Sequence, residues 1–185
     1  MHTYSPTIDV PLVDSNGTII GYSEKMHVHR EGLLHLAFSL MIIRQRPTGV
    51  EYLLQRRAEH KYHSGGLWTN TCCSHPLMNE SINDAAQRRV NDELGIVTPL
   101  VFKNVAKILY YLPLDRGLVE HEYNHVLVAM VDDVEWSANV DEVMSVQWWS
   151  SQQIVRQLSA HPNTFTAWFP EVFRHVSEVT IESMS

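Results

Sequence analysis

The chain has 185 residues, 44% of them hydrophobic, a length and content that suit a single domain over 1–185 built around one core. Fourteen Lys and Arg against 21 Asp and Glu give a formal charge of -7, which argues against a nucleic-acid partner because a phosphate backbone calls for a basic stripe. The only two cysteines are adjacent and no run approaches the ~18 to 20 apolar residues of a membrane span, so the expectation is a cytoplasmic protein without membrane segment, secretory leader or disulfide framework.

In chain order, the apolar run Leu33 to Ile43 predicts a buried strand, Pro47-Thr48-Gly49 a turn, and Val50 to Arg57 the returning arm of a hairpin. Loop residues dominate up to Trp68. Ser81 to Leu94 reads as a helix: Ser81 and Asp84 resemble a capping box, Ile82, Ala85, Ala86, Val90 and Leu94 recur on one side, and Gly95 suits a left-handed stop. Val101 to Leu112 and Tyr123 to Val131 are strand candidates separated by a turn near Asp115-Arg116-Gly117, and Ser145 to Trp149 is a further short strand. Ser151 to Ser159 and Thr164 to Val179 read as helices, the second on the spacing of Phe165, Trp168, Val172, Val176 and Val179. The fold class is mixed α/β (α+β), one sheet with helices packed on it.

Two stretches carry chemistry. Trp68 to Pro76 supplies Cys73 and His75, and Glu120-His121-Glu122 supplies two carboxylates. On a continuing strand those carboxylates share one face about 6 to 7 Å apart along the backbone, with His121 turned away. Such a pair repels and is costly to bury unless a cation sits between its members; the alternative is a solvated strand edge. His29, with His27 as its rival, His35 and His75 could complete a mixed nitrogen and oxygen ligand set. Arg56, Arg57 and Lys61 fit either a solvated turn or an anion site. Arg88 and Arg89 point about 100° apart on a helix, so they cannot serve one ligand equally. Cys72 reads as a small buried residue, and a vicinal disulfide with Cys73 would silence the thiol.

Leu34-His35-Leu36-Ala37-Phe38-Ser39, Arg56-Arg57-Ala58, Trp68-Thr69-Asn70, Cys73-Ser74-His75-Pro76, Arg88-Arg89 with Glu93-Leu94-Gly95, and Glu120-His121-Glu122 occur in this order across the chain. The set resembles the type 1 isopentenyl diphosphate isomerases, enzymes of isoprenoid biosynthesis that interconvert isopentenyl and dimethylallyl diphosphate. The resemblance implies a Nudix-like mixed β-sheet core with flanking helices. It implies that Cys73 and Glu122, with Tyr110 linked to the latter, transfer protons. It places one divalent metal, Mn2+, Zn2+ or Mg2+, on His29, His35, His75, Glu120 and Glu122, and gives Glu93 a Mg2+ that bridges the diphosphate. Arg57, Lys61 and Arg89 would neutralise that diphosphate, and Trp68, Trp168 and Tyr110 would line the hydrocarbon pocket. The implied partner is a small isoprenyl diphosphate, and the assembly a monomer or weak dimer.

The chain departs from a hydrolytic Nudix signature at two positions. Ser74 replaces the first glycine of the frame that continues through Glu80, Arg88-Arg89, Asp92-Glu93 and Gly95. Arg89 stands where a hydrolase places a metal-binding glutamate, which turns a cation-binding position into an anion-binding one. Of the five tryptophans, Trp168 is the candidate for stabilising a cationic intermediate and Trp148-Trp149 are assigned to packing.

Overall fold

A computed structural model describes residues 7–182. Its spine is β3 (His35–Arg46), whose first nine residues are buried. β3 lies parallel to β8 (Val119–Met130) from His35 beside Glu122 to Ile43 beside Met130, and antiparallel to β1 (Asp9–Val13), β4 (Gly49–Arg57) and β6 (Cys72–Ser74). β2 (Ile19–Glu24) extends the sheet beyond β1, β7 (Lys103–Pro113) beyond β8, and β5 (Trp68–Thr69) and β9 (Val143–Ser150) pair with β4. The result is a mixed, curled nine-stranded sheet.

The unbroken apolar run of β3 follows from burial on both faces. Phe38, Leu40 and Ile42 face α2 (Ile82–Leu94) and its Ala85, Ala86, Val90 and Leu94. Met41 and Ile43 face the other way, onto α3 (Ser151–Ala160) through Ile154 and α4 (Phe169–Glu182) through Phe169, Val172, Phe173 and Val176. Alternation along one strand thus divides the core in two. No helix among the described residues is long and apolar enough to cross a membrane.

Several boundaries differ from the sequence expectation. Strand β8 opens at Val119 rather than Tyr123, which brings Glu120 and Glu122 into the sheet. The last helix starts at Phe169 rather than Thr164: Pro162–Thr164 forms a 3-10 turn, and Phe165 pairs with Trp68 as an isolated bridge. There a strand-like backbone contact overrides the helical spacing of Phe165 and Trp168, though both side chains are buried as expected. Ser81 Oγ accepts the Asp84 N–H at 3.1 Å, but its hydroxyl then donates to Asp84 Oδ2, so the box is half formed. The reciprocal box stands instead at Ser150 and Gln153, opening α3. At the end of α2, Gly95 has φ +63 and a Cβ there would sit 2.7 Å from Ser137 O, which is why only glycine serves. The β1–β2 hairpin and the seven-residue α1 (Lys25–Glu31) carry no strong period in the sequence; α1 is capped by Glu24 and stopped by left-handed Gly32.

Candidate active site and metal centre

Four elements carry the histidines and carboxylates to one buried spot. α1 delivers His29, β3 opens on His35, His75 follows β6, and β8 presents Glu120 and Glu122 on its inner face; all five are at most 8% exposed. Ligand atoms of His29, His35, His75 and Glu120 lie within 4.8 Å of one another. Glu122 Oε1 is 3.2 Å from His75 Nε2 and 3.6 Å from His35 Nε2. His121 turns outward to Gly32 O, and His27 is exposed on α1.

The set fits a divalent cation on its own terms. His29 and His35 each place Nδ1 against a backbone carbonyl, Lys25 O at 2.7 Å and Leu33 O at 2.8 Å. With Nδ1–H as donor, both Nε2 lone pairs point into the cluster, the arrangement that carbonyl partners impose on metal-binding histidines. His35 Nε2 and His75 Nε2 are then 3.2 Å apart, and burial pushes His75 down to about 3, so it is neutral. Burial and the neighbouring Glu122 push Glu120 up to about 7. Burial opposes the charge on Glu122 too, but the imidazoles of His35 and His75 beside it outweigh that and hold the carboxyl low. Glu120 Oε2 and His29 Nε2 are buried and make no hydrogen bond. Converging lone pairs, paired carboxylates and orphaned donor atoms are all answered by one cation.

Beside this cluster lies a cavity of about 40 Å3 whose walls include Cys73, Tyr110, Glu122 and Trp168. Cys73 is held by the Asn70 amide, with Nδ2 at 2.9 Å and Oδ1 at 3.1 Å from Sγ, and Ser39 Oγ lies at 3.4 Å. Burial pushes its thiol up to about 12, so it carries its proton. The Tyr110 hydroxyl donates a short hydrogen bond to Glu122 Oε2, a contact set by the register of β7 against β8. Asn124 Nδ2 lies 2.8 Å from Tyr110 Oη, 2.9 Å from Glu122 Oε2 and 3.0 Å from Ser39 Oγ, so it ties the carboxylate side of the cavity to the thiol side. Cys72 faces the α2 core, is fully buried and is not disulfide-bonded.

The far wall is cationic. Lys25, Arg57, Lys61 and Arg89 all line the same cavity. Burial, and after it repulsion from Lys61 and Arg89, pulls the Lys25 ammonium down to about 8 against the opposing pull of Glu120 and Glu142. Arg57 lies 5.7 Å over the Trp168 ring, and Lys61 is ion-paired with Glu142. Arg89 bonds Glu93 at 2.6 Å, and Glu93 also takes Gln55 Nε2 at 2.8 Å. Arg88 turns away to Glu80. Trp68 is not among the residues that line the cavity; its ring packs on Trp149 at 5.1 Å.

Sequence reasoning missed Lys25, His63, Asn124 and Glu142. Two had a signal: Lys25 precedes His29 by one helical turn, and Asn124 continues the alternation of Glu120 and Glu122. His63 and Glu142 sit in loops, where no period marks them.

The NUDIX domain family model matches residues 33–169. An isopentenyl-diphosphate Delta-isomerase of Aliivibrio fischeri is 47% identical over 169 residues, 90% of this chain and 93% of the relative. The chain belongs to the isopentenyl-diphosphate Delta-isomerase family. A Photobacterium profundum isopentenyl-diphosphate Delta-isomerase is likewise 47% identical, over 167 residues, 90% of this chain and 93% of its own length. Among solved structures, a Deinococcus radiodurans protein superposes with a TM-score of 0.69 at 14% identity, over 90% of this chain and 98% of its own, a likeness of fold alone.

Proposed function

We propose that the chain is an isopentenyl-diphosphate Delta-isomerase that moves the carbon–carbon double bond of isopentenyl diphosphate to give dimethylallyl diphosphate. The observation that carries this reading is that a protonated thiol, Cys73, and a carboxylate, Glu122, wall one small cavity that also holds a tryptophan and four cationic side chains. In the reaction a proton adds to the terminal CH2, leaving tertiary positive charge at C3, and a proton leaves C2 so that its C–H electrons form the new C2=C3 bond. One of Cys73 and Glu122 gives, the other receives, and exchange with solvent returns each to its starting state. Tyr110, bonded to Glu122, steers that carboxyl and offers it a proton path.

His29, His35, His75, Glu120 and Glu122 would hold the divalent metal, Mn2+, Zn2+ or Mg2+, which would supply positive charge that fixes the two carboxylates and polarises Glu122. Arg57, Lys61, Arg89 and Lys25 would bind the diphosphate, and Glu93 would take a Mg2+ delivered with it, releasing Arg89 to a phosphate oxygen. A volume of about 40 Å3 has room for only a few waters, so substrate requires the 58–66 loop and the Lys61–Glu142 pair to give way. Closure afterwards excludes the water that would trap a cation as an alcohol. We place the enzyme in the cytoplasm, as a monomer or weak dimer.

Lys25→Ala is expected to raise KM for isopentenyl diphosphate by about 10-fold or more, the scale of one charge-assisted hydrogen bond, with a smaller change in kcat. Steady-state kinetics check this, and an unchanged KM would remove Lys25 from the anion site. Trp168→Leu is expected to lower kcat about 30-fold, equivalent to roughly 2 kcal/mol of cation–π stabilisation, while KM moves less than about threefold. An effect confined to KM would return Trp168 to packing. The reaction itself is tested by incubating the metal-loaded protein with isopentenyl diphosphate and resolving products by NMR. Dimethylallyl diphosphate without free phosphate supports the reading; phosphate release would mark a hydrolase, and an unchanged substrate would refute both.

A further inference from the structure

The loop between β4 and β5 places a fourth histidine, His63, beside the metal cluster. His63 is 1% exposed, and its Nε2 lies 2.9 Å from Glu120 Oε1 yet is not aligned for a hydrogen bond there, so this buried nitrogen is left without a partner. His63 lies outside the set of mutually close ligand atoms. We propose that His63 is a positioning residue for the metal centre: once a cation draws Glu120 Oε2 in beside His29 Nε2 at 3.3 Å and His35 Nε2 at 3.8 Å, a small turn of the adjacent rings lets the unpartnered His63 Nε2–H bond Glu120 Oε1 and hold the carboxylate in that pose.

The surroundings hold the ring for this task. With the proton on Nε2, Nδ1 accepts from the Ser64 hydroxyl at 3.1 Å. The Ser64 N–H is fixed to Asp115 Oδ1 at 3.0 Å, on the turn that leads into β8 and so into Glu120 itself. Ser64 adopts φ +52, and a Cβ at Gly65 would meet Glu59 O at 2.2 Å, so the loop reaches this path only with glycine at that position. The Trp168 ring stands edge-on at 5.8 Å. Arg57 Nη2 donates to the His63 carbonyl at 3.1 Å. One residue is therefore tied through its main chain to a cation of the diphosphate wall while its ring lies against a metal carboxylate. Substrate that draws Arg57 or lifts the 58–66 loop alters the grip on Glu120, which couples occupancy of the anion site to the firmness of the metal centre.

This inference rests on the metal reading above, and the test separates the two. Metal-free wild type, His63→Ala and His63→Gln are titrated with Mn2+ alone, free ion being followed by EPR and bound ion by its couplings to histidine nitrogens. Wild type should bind one ion in the cluster; if it binds none, the metal reading falls whatever His63 does. His63→Ala should bind about 10- to 100-fold more weakly, the usual cost of losing a residue that orients a ligand, with the same number of coupled nitrogens. His63→Gln, whose side-chain amide can still donate to Oε1, should recover most of the affinity. Binding by His63→Ala within about twofold of wild type, loss of one coupled nitrogen, or a Gln variant no better than Ala would each overturn the proposal. Should His63→Ala fail to fold, the Gln variant carries the test: an affinity within about fivefold of wild type supports it and a larger loss overturns it.

Discussion

Cys73→Ala is expected to lower kcat/KM for isopentenyl diphosphate by about 10³-fold or more, within the range set by losing a positioned proton-transfer group. The thiol touches Asn70 and Ser39 and none of the clustered ligand atoms, so metal content should stay at the wild-type level. Folding should survive as well, because the three-residue β6 is held by its pairing with β3 and Ala vacates only the volume of one sulfur. Circular dichroism, metal analysis and single-turnover kinetics on the same preparation check all three. A variant with near-normal turnover would remove Cys73 from the chemistry, and a variant that lost its metal would recast it as a structural support.

Glu122→Gln should damage two properties at once. Oε1 faces His35 and His75, while Oε2 receives Tyr110 and Asn124. An amide of the same shape keeps some of these hydrogen bonds but loses the charge, and it can point N–H groups at the lone pairs of His35 and His75. Metal affinity should fall at least about 10-fold. At saturating metal the rate should still be about 10³-fold below wild type, because a neutral amide cannot exchange a proton. The two losses are separable by assaying across a metal titration: if added metal restores full rate, Glu122 is a ligand only, and if affinity is unchanged it is a catalytic group only.

Much of this site was legible in the sequence because its chemistry follows regular spacing. Glu120 and Glu122 alternate on a strand, and His35 opens the apolar run that becomes the central strand, directly beside Glu122 in register. Arg89 and Glu93 stand four apart on a helix and meet at 2.6 Å. The helix α2, its glycine stop and the β3–β4 hairpin follow from local signals of the same kind. What sequence could not give is what loops and short elements contribute. His63 arrives on an irregular loop, α1 is too short to show a period, and Trp68 is led away from the cavity by packing on Trp149. Phe165 and Trp168 have helical spacing without helical backbone, because pairing with Trp68 holds that segment extended. The charges on Glu120 and Glu122 likewise depend on neighbours brought from α1, β3 and the segment after β6, so no reading of β8 alone could assign them.

The account turns on two groups acting on one alkene from within one cavity, and deuterium tests it most directly. Wild-type protein is incubated with isopentenyl diphosphate in D2O until the two isomers equilibrate, and the carbons are resolved by NMR. Label should enter both the methyl group formed from the terminal carbon and the C2 position, with the diphosphate intact, and the Cys73→Ala and Glu122→Gln proteins should introduce none at a comparable rate. Double-bond migration without solvent label, or full labelling by either variant, would contradict proton transfer by this pair.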